Sequence, residues 1–320
     1  MDTVDISDLK PHEKEFGKSR ALVRGVCSEF KRRGYNVGAF DATTASDVLS
    51  GSGLSSSAAF EVLLGTIVNH LFNDGKVSDV EIAQIAQAAE NKFFGKPCGL
   101  LDQMTSSVGS FVEIDFADPA KPVIEKVNFD FASCGYALCI VDTGGSHSDL
   151  TDEYAAVRKE MESVAAYLGK SVLREVDESE FVKNIADIRS SCGDRAVLRA
   201  MHFYGDNARV EKQAAALRAG DFETFMKYII ESGRSSYMYN QNVYSCKKAA
   251  EQPVSLALSL SEKLLDGCGA WRVHGGGFAG TIQAFVPLNK LDEYKDLMER
   301  VFGSGSCYVL SVRPVGGVEL

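Results

Sequence analysis

Residues 51–65 read GSGLSSSAAFEVLLG: a glycine- and serine-rich start runs into an apolar stretch whose first charge is Glu61. Glycine lets a backbone approach a ligand closely. The first turn of a helix presents unbonded N–H groups and the positive end of the helix dipole, a combination that binds phosphate. A serine hydroxyl in that turn could also ligate a Mg2+ that bridges phosphates. Plain capping competes, because serine is favoured at helix starts and glycine–serine turns before helices are common. The stretch by itself leaves both open. Phe60, Leu63, Leu64, Ile67 and Leu71 recur at three- and four-residue spacing, which predicts a helix from Ser55 to about Phe72.

Outward from it, Ser78 and Glu81 form a capping-box pattern opening a helix to about Phe94, and GKPCGLLDQM (95–104) breaks that helix with Gly95 and Pro97. Upstream, residues 13–34 read as a helix with a basic face of Lys14, Lys18, Arg20, Arg24, Lys31, Arg32 and Arg33, stopped at Gly34. Val37, Phe40, Thr43 and Thr44 then give strand signals. GSFVEIDF, PVIEKVNFDF and GYALCIVDT, between residues 109 and 143, read as strands. Residues 150–266 turn mostly helical, with segments near 150–168, 194–218, 221–240 and 253–266. Strands AWRVHGGG and GTIQAFVP, a helix near 289–302 and a last strand CYVLSVRPV follow. This change of texture predicts domains of 1–146 and 147–320.

A length of 320 residues suits two domains. The net charge of −10 and a pI near 5.1 disfavour a broad nucleic-acid surface. The acidic, polar start MDTVDISDLKPHEKEF is no signal peptide or presequence, and no apolar run is long enough to span a membrane. Eight scattered cysteines without metal-ligand spacing suit reduced thiols in the cytoplasm. A monomer is expected.

Two familiar nucleotide fingerprints fail on context. GGGFAG (275–280) leads into a strand where a dinucleotide fingerprint would open a helix, and GSGLSS is followed by two helices with no returning parallel strand. GKS at 17–19 lacks the upstream glycine of a Walker loop, whose place is taken by His12. Asp102, flanked by Leu100, Leu101 and Met104, reads either as a helix cap or as a base that accepts a hydroxyl proton. Glu90 reads as a solvated helix residue or as a Mg2+ ligand. Three consecutive glycines, 275–277, exceed the needs of a hairpin turn and point to a ligand or another segment packed on the backbone. His147, Asp149 and His274 read as polar loop or structural residues.

Together these stretches resemble the galactokinase branch of the GHMP small-molecule kinases. Residues 51–58 match that family's G-x-G-L-S-S-S-A, and residues 89–103, AENKFFGKPCGLLDQ, match A-E-N-x-F-x-G-x-x-C-G-x-x-D-Q at every fixed position. A third motif, G-G-G-F-G-G, is present with Ala279 in place of one glycine. The resemblance implies a two-domain α+β GHMP kinase fold: an N-terminal ribosomal S5 domain 2-like domain, incomplete here, and a ferredoxin-like C-terminal domain, with the active site between them. It implies that Gly51, Ser52, Gly53, Leu54, Ser55, Ser56 and Ser57 wrap the phosphates of ATP. Ser57 and Glu90 would hold Mg2+, with Ser56 the near competitor, and Asp102 would deprotonate or orient the anomeric hydroxyl of a sugar. Tyr154 would contact the sugar, and Gly275, Gly276 and Gly277 would line the substrate region. For Tyr154, a half-buried structural aromatic on a helix stays equally open.

The family's first motif, G-R-x-N-x-x-G-E-H-x-D-Y, has no counterpart in residues 1–50. The resemblance therefore implies a catalytic arginine, sugar-gripping side chains and several strands that this sequence does not supply. Two functions follow as expectations: an ATP- and Mg2+-dependent sugar 1-kinase, most simply for D-galactose, or a non-catalytic sugar or nucleotide sensor on the same fold. Another sugar specificity is a variant of the first.

Overall fold

The computed structural model describes residues 3–46, 55–118, 121–145, 150–278 and 280–319. The chain divides into two compact units, Met1–Ile114 with Arg313–Leu320, and Asp115–Val312.

The first unit is a helical layer. Helices α1 (Ser19–Arg32), α2 (Ser56–Asn73), α3 (Asp79–Ala89) and α4 (Leu101–Val108) follow in order, and a wide π-type turn, Glu90–Phe94, continues α3. Their apolar stripes close on Val26, Cys27, Phe30, Val62, Leu64, Val68, Ile82, Ile85 and Ala86. Gly25 permits the close crossing of α1 and α3, since a Cβ there would stand 2.7 Å from that of Ala89. Ser78 accepts from the Glu81 N–H at 3.3 Å, while the Glu81 carboxylate takes the Tyr35 hydroxyl at 2.8 Å.

Two expectations are corrected here. Residues 35–46 form no strand: Val37 and Phe40 pack on the helical core, and the Asn73 side chain satisfies the Asn36 N–H and C=O at 2.8 and 2.9 Å. The helix expected over 13–34 begins at Ser19, and its basic face is incomplete because Arg24 is buried. The Arg24 guanidinium grips both oxygens of Glu15 at 2.9 and 3.0 Å and donates to the carbonyls of Asp5 and Asp8. That grip straps the N-terminal segment to α1. The C-terminal residues return to the same unit: the Ser110 N–H donates to the Arg313 carbonyl at 2.7 Å.

Strands β1 (Phe111–Asp115) and β2 (Val123–Val127) precede the second unit's main sheet. That sheet takes β3 (Tyr136–Asp142), then, after helices α5 (Thr151–Tyr167), α6 (Glu178–Lys183), α7 (Ile185–Cys192), α8 (Asp194–Arg218), α9 (Phe222–Ser235) and α10 (Pro253–Leu265), strands β4 (Ala270–Val273) and β5 (Thr281–Pro287). Helix α11 (Leu291–Phe302) and β6 (Cys307–Leu310) complete it. The order β4-β5-β3-β6 is antiparallel at every joint, the split pattern of a ferredoxin-like β-α-β-β-α-β fold. Cys139, Val141, Val273, Ile282 and Ala284 form one core with Val254 and Leu265 of α10 and Tyr294 and Met298 of α11. β3 is a central strand of this sheet and belongs to the second unit. The short helices α6 and α7, which periodicity did not single out, pack Phe181 and Ile188 against α5 and α8.

Candidate active site

Helix α2 begins as its spacing predicts, but its leading serines do not cap it. Ser55 lies in the left-handed region (φ 55°, ψ 51°) and makes no side-chain bond to the helix's own N–H groups. Its hydroxyl donates instead to Asp102 Oδ2 at 2.6 Å. Two residues on, the Ser57 hydroxyl donates to Glu90 Oε1 at 3.0 Å. One helix start thus places a hydroxyl on each of the two carboxylates that the motifs single out. Ser56, between them, is half-buried. Gly51, Ser52, Gly53 and Leu54 lie outside the described residues, as do His147 and Asp149.

The broken segment after Gly95 (φ 80°) sets the two carboxylates apart in environment. Helix α4 starts at Leu101, so Asp102 occupies its first turn and is not its cap; Leu101 and Asp102 face solvent while Gln103 and Met104 face inward. Of the two readings of Asp102, the helix cap is therefore set aside, while Glu90 is 2% exposed and not a solvated helix residue. Lys96 Nζ meets Glu90 Oε1 at 3.1 Å. Burial works against the Lys96 ammonium, but the hydrogen bond and charge of Glu90 prevail and hold its pKa above the ordinary value.

Beneath Glu90 lies a set of groups whose roles the motifs did not announce. The Gln103 amide donates to Glu90 Oε2 at 2.7 Å and reaches Glu61 Oε2 at 3.2 Å. Glu61 is fully buried. Burial first, then the neighbouring Glu90 charge, pushes its carboxyl up to about 8. Burial first, then a hydrogen bond to Glu90 and its charge, push the Cys98 thiol up to about 12, so it stays protonated and unreactive. The signal for Glu61 was its isolation as the first charge in an apolar stretch; that for Gln103 was its place beside Asp102 in the second motif.

In the second unit the glycine turn joins β4 to β5 as a hairpin, and its glycines answer to neighbouring segments. A Cβ on Gly276 would stand 2.8 Å from the Tyr154 ring, and one on Gly277 1.9 Å from the Asn242 carbonyl. The Tyr154 hydroxyl donates to the Gly277 carbonyl at 2.8 Å, and its ring meets Phe278 edge-on at 5.4 Å. Gly275 (φ 63°) has open space beside it. His274 bonds Thr281 Oγ1 at 2.9 Å, across the base of the hairpin. A cavity of about 630 Å³ opens nearby, bounded among others by Thr143, Gly144, Ser245, Lys248 and Phe278.

The donor set fits a hard cation. Ser57 and Glu90 offer two oxygens, and Mg2+ characteristically takes one or two protein oxygens and completes its shell with water and substrate phosphates. Among the described residues no cluster of three His, Cys, Asp or Glu side chains forms a closed metal cage.

Residues 21–110 match the model of the GHMP kinases N terminal domain. A galactokinase of Actinobacillus pleuropneumoniae serotype 3 (strain JL03) is 31% identical over 306 residues, covering 93% of this chain and 75% of that protein. Among solved structures, Lactococcus lactis galactokinase complexed with galactose aligns with a TM-score of 0.73 at 23% identity, over 99% of this chain and 80% of that one. Streptococcus pneumoniae phosphomevalonate kinase, in complex with phosphomevalonate and AMPPNP, aligns with a TM-score of 0.55 at 13% identity, over 95% and 82%. At these identities the two structures speak for the fold. With the sequence match to the galactokinases, the conclusion is direct: the chain belongs to the galactokinase family of GHMP kinases and is a phosphotransferase.

Proposed function

We propose that this protein transfers the terminal phosphoryl group of ATP to the anomeric hydroxyl of D-galactose, giving galactose 1-phosphate and ADP. The observation that carries the proposal is the pairing at the start of α2, where Ser55 meets Asp102 and Ser57 meets Glu90. Residues 51–57 would hold the phosphate tail, and Ser57 and Glu90 would hold Mg2+, which when bound would offset phosphate charge. Lys96 adds a positive charge on the same carboxylate oxygen. Asp102, exposed and already accepting one hydroxyl, accepts the proton of the sugar hydroxyl as its oxygen bonds to phosphorus and the bond to the ADP oxygen breaks. Phosphoryl transfer rests on such positioning and charge stabilisation. The Tyr154 hydroxyl donates to the Gly277 carbonyl and its ring packs against Gly276, so Tyr154 shapes the turn of Gly275, Gly276 and Gly277 that is proposed to line the sugar region.

The test is ADP release with galactose and a panel of other hexoses, for the wild type and Asp102→Asn. Removing a general base costs about 10²–10⁴ in rate, and calorimetry should find ATP binding nearly unchanged. Turnover retained in Asp102→Asn would remove Asp102 from the mechanism. A wild type that binds ligand without releasing ADP would favour a sensor, and a preference for another hexose would reassign the substrate.

A further inference from the structure

Glu61 is the only carboxylate of α2 and stands one helical turn beyond Ser57. It is fully buried, Gln103 is 1% exposed, and among the described residues Glu61 Oε1 and Gln103 Oε1 have no hydrogen-bond partner. Such a half-satisfied polar pair costs stability, and apolar side chains of similar volume would pack more cheaply. What the pair achieves is geometric. The Gln103 amide reaches Glu61 Oε2 and Glu90 Oε2, which leaves Glu90 Oε1 facing Ser57 and Lys96. A carboxylate with one oxygen tied can rotate; tied at both, it presents a fixed lone pair. Gln103 also follows Asp102 directly, so the same amide fixes the turn that carries the proposed base.

We infer that Glu61 is a positioning residue: it anchors the Gln103 amide, which holds the Glu90 carboxylate toward Ser57 and the first turn of α4 in place. The inference rests on the proposed role of Glu90 as a metal ligand and adds a residue that no motif assigns. Partners behind a metal ligand typically control affinity or activity by about 10–100-fold.

The experiment compares wild type, Glu61→Leu and Glu61→Gln by calorimetric ATP titration across a Mg2+ series, by thermal unfolding and by ADP release with galactose. Glu61→Leu is expected to raise the Mg2+ concentration of half-effect about 10–100-fold and to lower kcat by a similar factor, with the galactose KM nearly constant. Its Tm at pH 7 should equal or exceed that of the wild type. Glu61→Gln keeps an acceptor oxygen and should restore Mg2+ dependence to within about threefold, a small part of the 10–100-fold range. A folded Glu61→Leu with wild-type Mg2+ dependence, or a Glu61→Gln that fails to restore it, overturns the inference. If Glu61→Leu does not fold, Gln103→Leu cuts the same link under the same criteria. A wild type that binds no ATP with Mg2+ defeats the proposed function instead. The positioning role is then decided by a metal-free crystal structure of the leucine variant, where a Glu90 still bonded to Ser57 refutes it.

Discussion

Replacing Glu61 with glutamine should change the pH dependence of stability in a direction opposite to that of a salt-bridged carboxylate. The folded protein holds the Glu61 carboxyl at about 8, against an ordinary 4.5 in the unfolded chain. Between those values the folded state binds the extra proton, so stability falls as pH rises and the loss is complete above pH 8. A rise from 4.5 to about 8 corresponds to roughly 5 kcal/mol above pH 8 and roughly 3 kcal/mol at pH 7. Glutamine has the same shape and no proton to lose. Glu61→Gln should therefore match the wild type near pH 4.5 and exceed it progressively toward pH 9. The single tryptophan, Trp271, lies in β4 of the other unit, so its fluorescence is the wrong probe. Hydrogen exchange of the α2 and α3 amides, followed by mass spectrometry at pH 5, 7 and 8.5, reads the relevant unit. Parallel stability profiles for the two proteins would refute the assignment of a buried, protonated Glu61.

Gly277 has φ +80° and a Cβ there would lie 1.9 Å from the Asn242 carbonyl; Gly277→Ala should cost about 3 kcal/mol or more and lower Tm by several degrees. An unchanged Tm would show that the hairpin yields easily. Arg24→Ala leaves the Glu15 carboxylate and two carbonyls without their donor and should cost about 3 kcal/mol, as broken buried ion pairs do. Limited proteolysis should then cut within residues 3–15 well before the wild type is cut; equal cleavage rates would refute the strap.

Most of the helices and the four-stranded sheet were legible because their signals are local. The spacing of Phe60, Leu64 and Ile67 and the apolar run of β3 need no knowledge of partners. Residues 35–46 misled because strand propensity reports fit to a half-buried surface, and here Val37 and Phe40 find that surface on helices while Asn73 takes the place of a ladder neighbour. Asp102 and Glu90 could be picked out as candidates, but that one faces solvent and the other is buried depends on how α4 and the turn after α3 pack, which local spacing does not give. Glu61 was visible as an oddity. Its meaning required Gln103, a partner distant in sequence, and spacing along one helix cannot supply it.

The return of residues 313–320 to the first unit has a consequence for the order of folding. The segment packs without slack: a Cβ on Gly316 would fall 1.7 Å from the Ser107 carbonyl of α4, and one on Gly317 2.2 Å from Thr66 Oγ1 of α2. Residues 115–312 form a continuous unit, whereas the unit carrying Ser57, Glu90 and Asp102 is closed by segments far apart in sequence. Contacts of such long separation form slowly relative to local ones, so this unit completes its packing later than its helices form.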